Sequence, residues 1–259
     1  MRHNMSQKFP DKKIIVFMPA YKASQTLSQT VTAIPPALID GIILCDDGSP
    51  DQVETLAEAK RLGIKTILKH ERNRGYGGNL KTCLAEVVRQ GADIALEIHP
   101  DAQYDLSHLE RLIQTSITTG AGIVLGSRFS NKRSPRAYGM PLPKFLANKG
   151  LSFFDRLVLG LPLTEFHTGY RAYSRAFLEQ VPFEADKDNY TLSFETIAQA
   201  VYFGFKVVEV PVISRYFKEA HSASLKNSTI YALETMLVLA KFMSQKLHLA
   251  NFAMFKSKS

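Results

Sequence analysis

The chain has 259 residues, 45% of them hydrophobic, which is enough to bury one sizeable core, and it shows no internal repeat or low-complexity tract. Its net charge of +8 favours an anionic partner, whether nucleotide, phosphate, membrane surface or nucleic acid, without choosing among them. The two cysteines, Cys45 and Cys83, lack metal-type spacing and read as free thiols; residues 1–13 are polar without an apolar signal core, so export is not expected.

In chain order, a polar tail over 1–12 precedes a first central strand at 13–18, closed by Pro19-Ala20-Tyr21. A helix is expected over 24–34 with Ser24 as its N-cap. A second strand over 41–45 runs straight into Asp46-Asp47-Gly48-Ser49-Pro50-Asp51, and a helix over 52–62 and a strand over 64–68 follow. This alternation predicts a parallel sheet with right-handed crossovers. Two acids at a strand end are expensive if buried and unpaired. At the rim of the sheet they can accept hydrogen bonds from ribose hydroxyls or a base N–H; alternatively Asp46 or Asp47 caps a helix, a role that Asp51 also suits.

The next run, Arg72-Asn73-Arg74-Gly75-Tyr76-Gly77-Gly78-Asn79, opens a helix expected over 79–90. Glycines before a helix start let backbone N–H groups approach a phosphate, although no Gly-Lys-Ser/Thr completes a Walker loop. An apolar strand over 92–96 then ends in Glu97-Ile98-His99-Pro100-Asp101-Ala102-Gln103-Tyr104. Ligands of open α/β sheets bind beyond such strand ends, and carboxylate, amide and imidazole groups can hold a divalent cation beside a diphosphate. A polar loop capping a strand is the plainer alternative.

A helix over 106–118 and a strand over 121–125 lead to Gly126-Ser127-Arg128. From Arg111 through Phe154 the chain carries no Asp or Glu, while Arg128, Lys132, Arg133, Arg136, Lys144 and Lys149 fall in a segment broken by prolines. That segment suits a lid over phosphates, or simply a solvated basic loop. After a helix over 148–159, residues 164–171 gather Glu165, His167 and Arg171, and Glu165 or His167 is a candidate general base. A helix over 192–203 carries Glu195, and 206–212 reads as an edge strand because Pro211 cannot donate. Residues 215–218 and 221–224 form a polar coda. The last segment, 229–255, is apolar at helical spacing with Glu234, Lys241 and Gln245 opposite, and it suits packing on the core or an interfacial helix on anionic lipid.

These pieces, in this order, resemble the family 2 glycosyltransferases, and within them the dolichyl/polyprenyl-phosphate mannosyltransferase-like branch, over about residues 14–215. Pro19-Ala20-Tyr21 is similar to a Pro-Thr-Tyr turn that contacts the base, and Asp46-Asp47-Gly48-Ser49 matches a motif that holds base and ribose. Asn73, Gly75 and Gly78 fall on the glycine loop, Ser127 and Arg128 on a Gly-Ser-Arg whose arginine meets phosphate, and Arg171 on a Gly-Phe-Arg. Arg215 joins the expected substrate-binding set. The resemblance places the metal motif on His99, Asp101 and Gln103, with His99 where an acid is usual, and the suggested base on Glu165. Ala23 replaces the acid that usually follows the first turn, which leaves the donor base open.

The resemblance implies a Rossmann-like GT-A fold over 13–226, a mostly parallel sheet flanked by helices, with a C-terminal amphipathic helix and basic tail over 227–259. The implied activity is inverting transfer of a hexose from a GDP- or UDP-sugar, with Mn²⁺ or Mg²⁺, to a lipid phosphate or cell-envelope glycan. The expected catalytic residues are Asp101, Arg128 and Glu165, and the expected location is cytoplasmic with peripheral membrane contact. A non-catalytic nucleotide-sugar-binding protein and a sugar-phosphate nucleotidyltransferase are the rivals. Nucleic acid is not expected, because the basic residues do not line a recognition helix.

Overall fold

The computed structural model describes residues 8–216 and 225–258; the rest of the polar coda, including His221 to Ser224, lies outside the described residues. The elements are β1 (Ile14–Ala20), α1 (Leu27–Thr32), β2 (Gly41–Asp46), α2 (Gln52–Arg61), β3 (Thr66–Lys69), α3 (Gly75–Arg89), β4 (Ile94–Glu97) and α4 (Leu109–Thr119). They continue as β5 (Ile123–Ser127), α5 (Leu142–Leu159), β6 (Arg171–Ser174), α6 (Arg175–Gln180), α7 (Leu192–Tyr202), β7 (Val207–Pro211) and α8 (Leu225–Lys246).

The seven strands form one sheet in the order β3-β2-β1-β4-β6-β5-β7. Every residue of β1 is buried, which requires helices on both faces and explains why the strand reads as a continuous apolar run. On one face Phe17, Ile43, Leu84, Phe194 and Phe242 share a core; on the other Val16, Leu44, Leu96 and Leu109 do. The order in which strands are laid down reverses between β1 and β4, parallel neighbours whose carboxyl ends diverge into a crevice. The sheet is mostly parallel, as expected, and β7 lies at its edge.

Four features depart from the sequence reading. β6 runs antiparallel to both β4 and β5, a short strand hidden inside what reads as a polar loop. α5 begins at Leu142, because Pro141 and Pro143 occupy the helix start, where a missing N–H is harmless. α1 begins at Leu27, and Ser24 does not cap it: its backbone N–H donates to Asp51 Oδ2 at 3.0 Å. That bond takes Asp51 away from capping α2, although Asp51 holds the N-cap position.

The C-terminal segment packs back on the domain. Val238, Leu239 and Phe242 of α8, with Met254 and Phe255 of the closing turn (Ala253–Phe255), are buried in the same core as β1. Phe242→Ala should therefore lower stability by about 3–5 kcal/mol, read as a lower urea midpoint with an unchanged slope. A wild-type midpoint would mean that α8 does not contribute to this core.

Candidate active site

A cleft of about 1000 Å³ opens at the carboxyl ends of β1, β2 and β4. Its walls include Tyr21, Asp47, Asn73, Tyr76, Asp101 and Tyr190. Pro19 and Ala20 belong to β1 itself, and Tyr21, half exposed just beyond it, contributes its ring to the rim. Two residues without the freedom of glycine, Lys22 (φ 55°) and Ala102 (φ 56°), hold left-handed backbone on this wall, a strained conformation that clusters at ligand sites.

The two strand-end acids divide their work. Asp46 is fully buried and accepts from Ser49 N (3.0 Å), Ser49 Oγ and Gln52 Nε2 (2.7 Å), so it builds the turn into α2 and is not among the residues lining the cleft. Asp47 lines the cleft, and its Oδ1 accepts from His70 Nδ1 at 2.6 Å and from Arg74 N at 2.9 Å. Asn79 ties the neighbouring strand ends together, donating to Cys45 O at 3.0 Å and Ala20 O at 3.3 Å.

The glycines are explained by a neighbour other than phosphate. α3 starts at Gly75, four residues earlier than expected, and Gly77 N (2.9 Å) and Gly78 N (3.3 Å) donate to the carbonyl of Asp188. A Cβ on Gly75 would fall 2.5 Å from that oxygen, and one on Gly77 only 2.4 Å from Lys187 O. The helix start is thus capped by the 187–189 backbone. Asn73, whose Oδ1 accepts from Gly75 N at 2.8 Å, remains on the cleft wall.

The proposed metal loop is braced from both sides. Thr26 Oγ1 donates to Pro100 O, Ala102 N donates to Thr30 Oγ1 at 3.1 Å, and Arg215 N donates to Gln103 O at 2.8 Å. Arg215 itself is exposed, and this backbone bond is its described tie to the loop. Asp101 and Gln103 line the cleft, joined by a 3.0 Å bond from Gln103 N to Asp101 Oδ1, and their oxygens fit a hard cation. His99 fits that role poorly. Its Nε2 lies 3.1 Å from Glu97 Oε1 and 3.4 Å from Tyr76 OH, and its ring packs against Gly169. Burial alone would lower the His99 pKa, but Glu97 raises it above the usual value, which favours the imidazolium and weakens a ligand role. Among the described residues no three His, Cys, Asp or Glu side chains gather to hold a metal ion.

Arg128 and Glu165 meet as a buried pair. The Glu165 carboxylate accepts from Arg128 N (2.7 Å), Nε (2.8 Å) and Nη2, while Arg128 also donates to His167 O (2.8 Å) and Tyr216 OH (2.6 Å). Burial would depress the arginine, but the facing carboxylate drives its pKa well up, so it stays charged. Glu165 has no exposed surface and both of its oxygens are engaged, which removes it as a free base in this conformation. In the sequence Lys144 is one of several cations in a proline-broken segment, with nothing to single it out. It lies on α5 over the Tyr216 ring (5.0 Å), and burial followed by repulsion from Arg128 holds its ammonium below the usual lysine range.

Two other expected contacts are structural. Ser127 Oγ accepts from Phe129 N (3.2 Å) and Ser130 N (3.1 Å) and faces Thr164 Oγ1 at 2.8 Å. Arg171 is fully buried, with its guanidinium on the carbonyls of Thr168 (2.6 Å), Phe166 (3.3 Å) and Ser193. Neither lines the cleft. His167 is likewise occupied, with Nδ1 2.8 Å from Tyr231 OH and Nε2 2.9 Å from Asp155 Oδ2, so it joins α5 to α8.

The Arg128–Glu165 pair sets a stability test. Glu165→Gln leaves a buried guanidinium without its counter-charge and should cost about 3–5 kcal/mol in chemical denaturation. A variant as stable as wild type would show that the pair does not hold this wall.

Comparison with known proteins agrees with this architecture. The family model described as Glycosyl transferase family 2 matches residues 15–181. The chain is 30% identical to a UDP-N-acetylglucosamine–dolichyl-phosphate N-acetylglucosaminyltransferase of Methanococcus voltae, over 80% of this chain and 87% of that protein. It is 26% identical to the polyprenol monophosphomannose synthase of Mycolicibacterium smegmatis, over 90% of this chain and 88% of that one. The fold superimposes with a TM-score of 0.65 and 19% identity on glucosyl-3-phosphoglycerate synthase of Mycobacterium tuberculosis, solved with Mn²⁺, UDP and glucosyl-3-phosphoglycerate, covering 93% of this chain and 85% of that one. With the family model spanning β1 through α6 and every wall of the cleft except Tyr190 inside it, the chain belongs to glycosyl transferase family 2 and is a glycosyltransferase.

Proposed function

We propose that this glycosyltransferase moves a hexose from a GDP- or UDP-sugar to a polyprenyl phosphate at a membrane surface. The observation that carries the reading is the cleft at the β1/β4 switch point, with a buried-edge carboxylate, Asp47, at one end and Asp101 at the other. Asp47 would receive the nucleoside, and Asp101 with Gln103 would hold a divalent cation. That cation, Mn²⁺ or Mg²⁺, would neutralise charge on the departing diphosphate. Arg128 and Lys144 supply two adjacent cations for the acceptor phosphate, and the depressed Lys144 ammonium would gain from an anion there. A phosphate oxygen of the acceptor attacks the anomeric carbon as its bond to the diphosphate oxygen breaks, and the nucleoside diphosphate leaves. This inverting displacement needs no base, because the acceptor is already anionic, and that agrees with a Glu165 committed to Arg128.

The surface supports the choice of a lipid acceptor over a soluble glycan. α5 exposes Leu146, Phe153 and Leu157, and α8, which packs on it, exposes Ile230, Leu233 and Leu237. Exposed Lys149, Arg156 and Lys246 flank these apolar side chains, a combination suited to anionic lipid. Among the described residues no helix is long and apolar enough to cross a membrane.

Two measurements test this reading. The first follows transfer of labelled sugar from GDP- and UDP-hexoses to undecaprenyl phosphate in detergent with Mn²⁺ or Mg²⁺. Asp101→Asn should reduce turnover at least about a hundredfold, and a chelator should do the same to wild type; activity indifferent to both would remove the metal role. The second is flotation with anionic vesicles. Leu157→Ser combined with Leu233→Ser should abolish binding at an unchanged melting temperature, since both side chains are exposed. Undiminished flotation would exclude this face.

A further inference from the structure

His70 stands one residue beyond β3, at the same carboxyl rim as Asp47. Its backbone is fixed there: its N–H donates to Asp46 O at 2.8 Å and its carbonyl accepts from Gln52 Nε2 at 3.1 Å. The ring is nearly enclosed, with 9% of the side chain exposed. Nδ1 lies 2.6 Å from Asp47 Oδ1, and Nε2 lies 3.0 Å from Thr82 Oγ1 on α3 and 3.8 Å from Cys45 Sγ on β2. With Nδ1–H donating to Asp47, Nε2 faces the Thr82 hydroxyl, which also lies within reach of Gly78 O at 3.2 Å. The ring is therefore held by its second nitrogen while the first holds the carboxylate.

We propose that His70 is a positioning residue for donor binding: it fixes Asp47 so that its second oxygen faces the nucleoside. This rests on the reading of the cleft as a nucleotide-sugar site. Both described bonds to Asp47, from His70 and from Arg74 N, fall on Oδ1. Oδ2 is then the oxygen offered to the cleft that Asp47 lines. A carboxylate free to rotate would present either oxygen and would lose part of its affinity to ordering. An imidazole held at both nitrogens removes that freedom. His70 itself does not touch the cleft, so its effect must pass through Asp47.

The test is calorimetry of UDP and GDP with Mn²⁺, together with donor KM and kcat, for wild type, His70→Phe, His70→Asn, His70→Gln, Asp47→Ala and the His70→Phe/Asp47→Ala double variant. Asp47→Ala and His70→Phe should each weaken the better nucleotide about tenfold, raising KM more than kcat falls. The double variant should be no weaker than Asp47→Ala alone, because the two act as one unit. Asn carries an N–H near the position of Nδ1 and should restore binding to within about threefold of wild type; Gln, whose amide reaches the Nε2 position, should not. If His70→Phe does not fold at the assay temperature, the Asn and Gln variants decide: equal affinities, or Gln above Asn, overturn the proposal. Additive losses in the double variant, or wild-type affinity in His70→Phe or in Asp47→Ala, overturn it while leaving the nucleotide-sugar reading intact. A wild-type protein that binds neither UDP nor GDP overturns the nucleotide-sugar reading, and this proposal with it.

Discussion

The carboxylate of Glu97 has no exposed surface and sits at the carboxyl end of β4, directly under the cleft. A buried charge of this kind is tolerated only when its lone pairs are met. They are met here by three elements at once: Tyr76 OH of α3 and His99 Nε2 on Oε1, and Tyr173 OH of β6 on Oε2 at 2.9 Å. Burial would push the Glu97 carboxyl up, but the hydrogen bond and charge of His99, with Arg171 behind it, hold it below the usual carboxylate range. The cleft floor is thereby tied to α3 on one side and to β6 on the other. Tyr76 extends the tie outward through a stacked ring pair with Tyr190, centroids 4.9 Å apart.

That constraint explains the most unexpected part of the fold. β6 enters antiparallel between β4 and β5, pairing Glu97 with Arg171. Its Tyr173 serves Glu97, and its Arg171 gathers the carbonyls of the 166–168 turn and of Ser193. The turn so held carries Glu165 to Arg128. The guanidinium at position 171 thus holds the shape of this wall through the backbone it gathers.

Elements with strong periodicity were legible from residues alone. β1, β2 and α2 are bounded within two residues of the reading, because continuous apolar runs and an acidic-first, basic-last helix depend on local chemistry. β6 was not legible, since Arg171-Ala172-Tyr173-Ser174 has neither alternation nor an apolar run, and its partners are more than seventy residues away in β4. Within the site, the acids at strand ends were visible as candidates, but their division of labour was not. Asp46 and Asp47 differ only in which way each side chain leaves the backbone at the end of β2. The rule that flagged them, polar groups at the carboxyl rim, applies equally to His70 after β3, and Lys144 was hidden among a run of similar charges.

The glycine run shows how one residue pattern answers two physical needs. Glycine admits close approach, and phosphate is only one possible visitor. Here the visitor is the carbonyl of Asp188, which caps the helix start of α3. Its segment is clamped in turn by Glu234 of α8, which accepts from Lys187 Nζ (2.8 Å), Asn189 Nδ2 (2.8 Å) and Thr191 Oγ1. The acid that interrupts the apolar spacing of α8 is thus the residue that joins this helix to the cleft wall. Helix, loop and glycines form one continuous support from α8 to Tyr76.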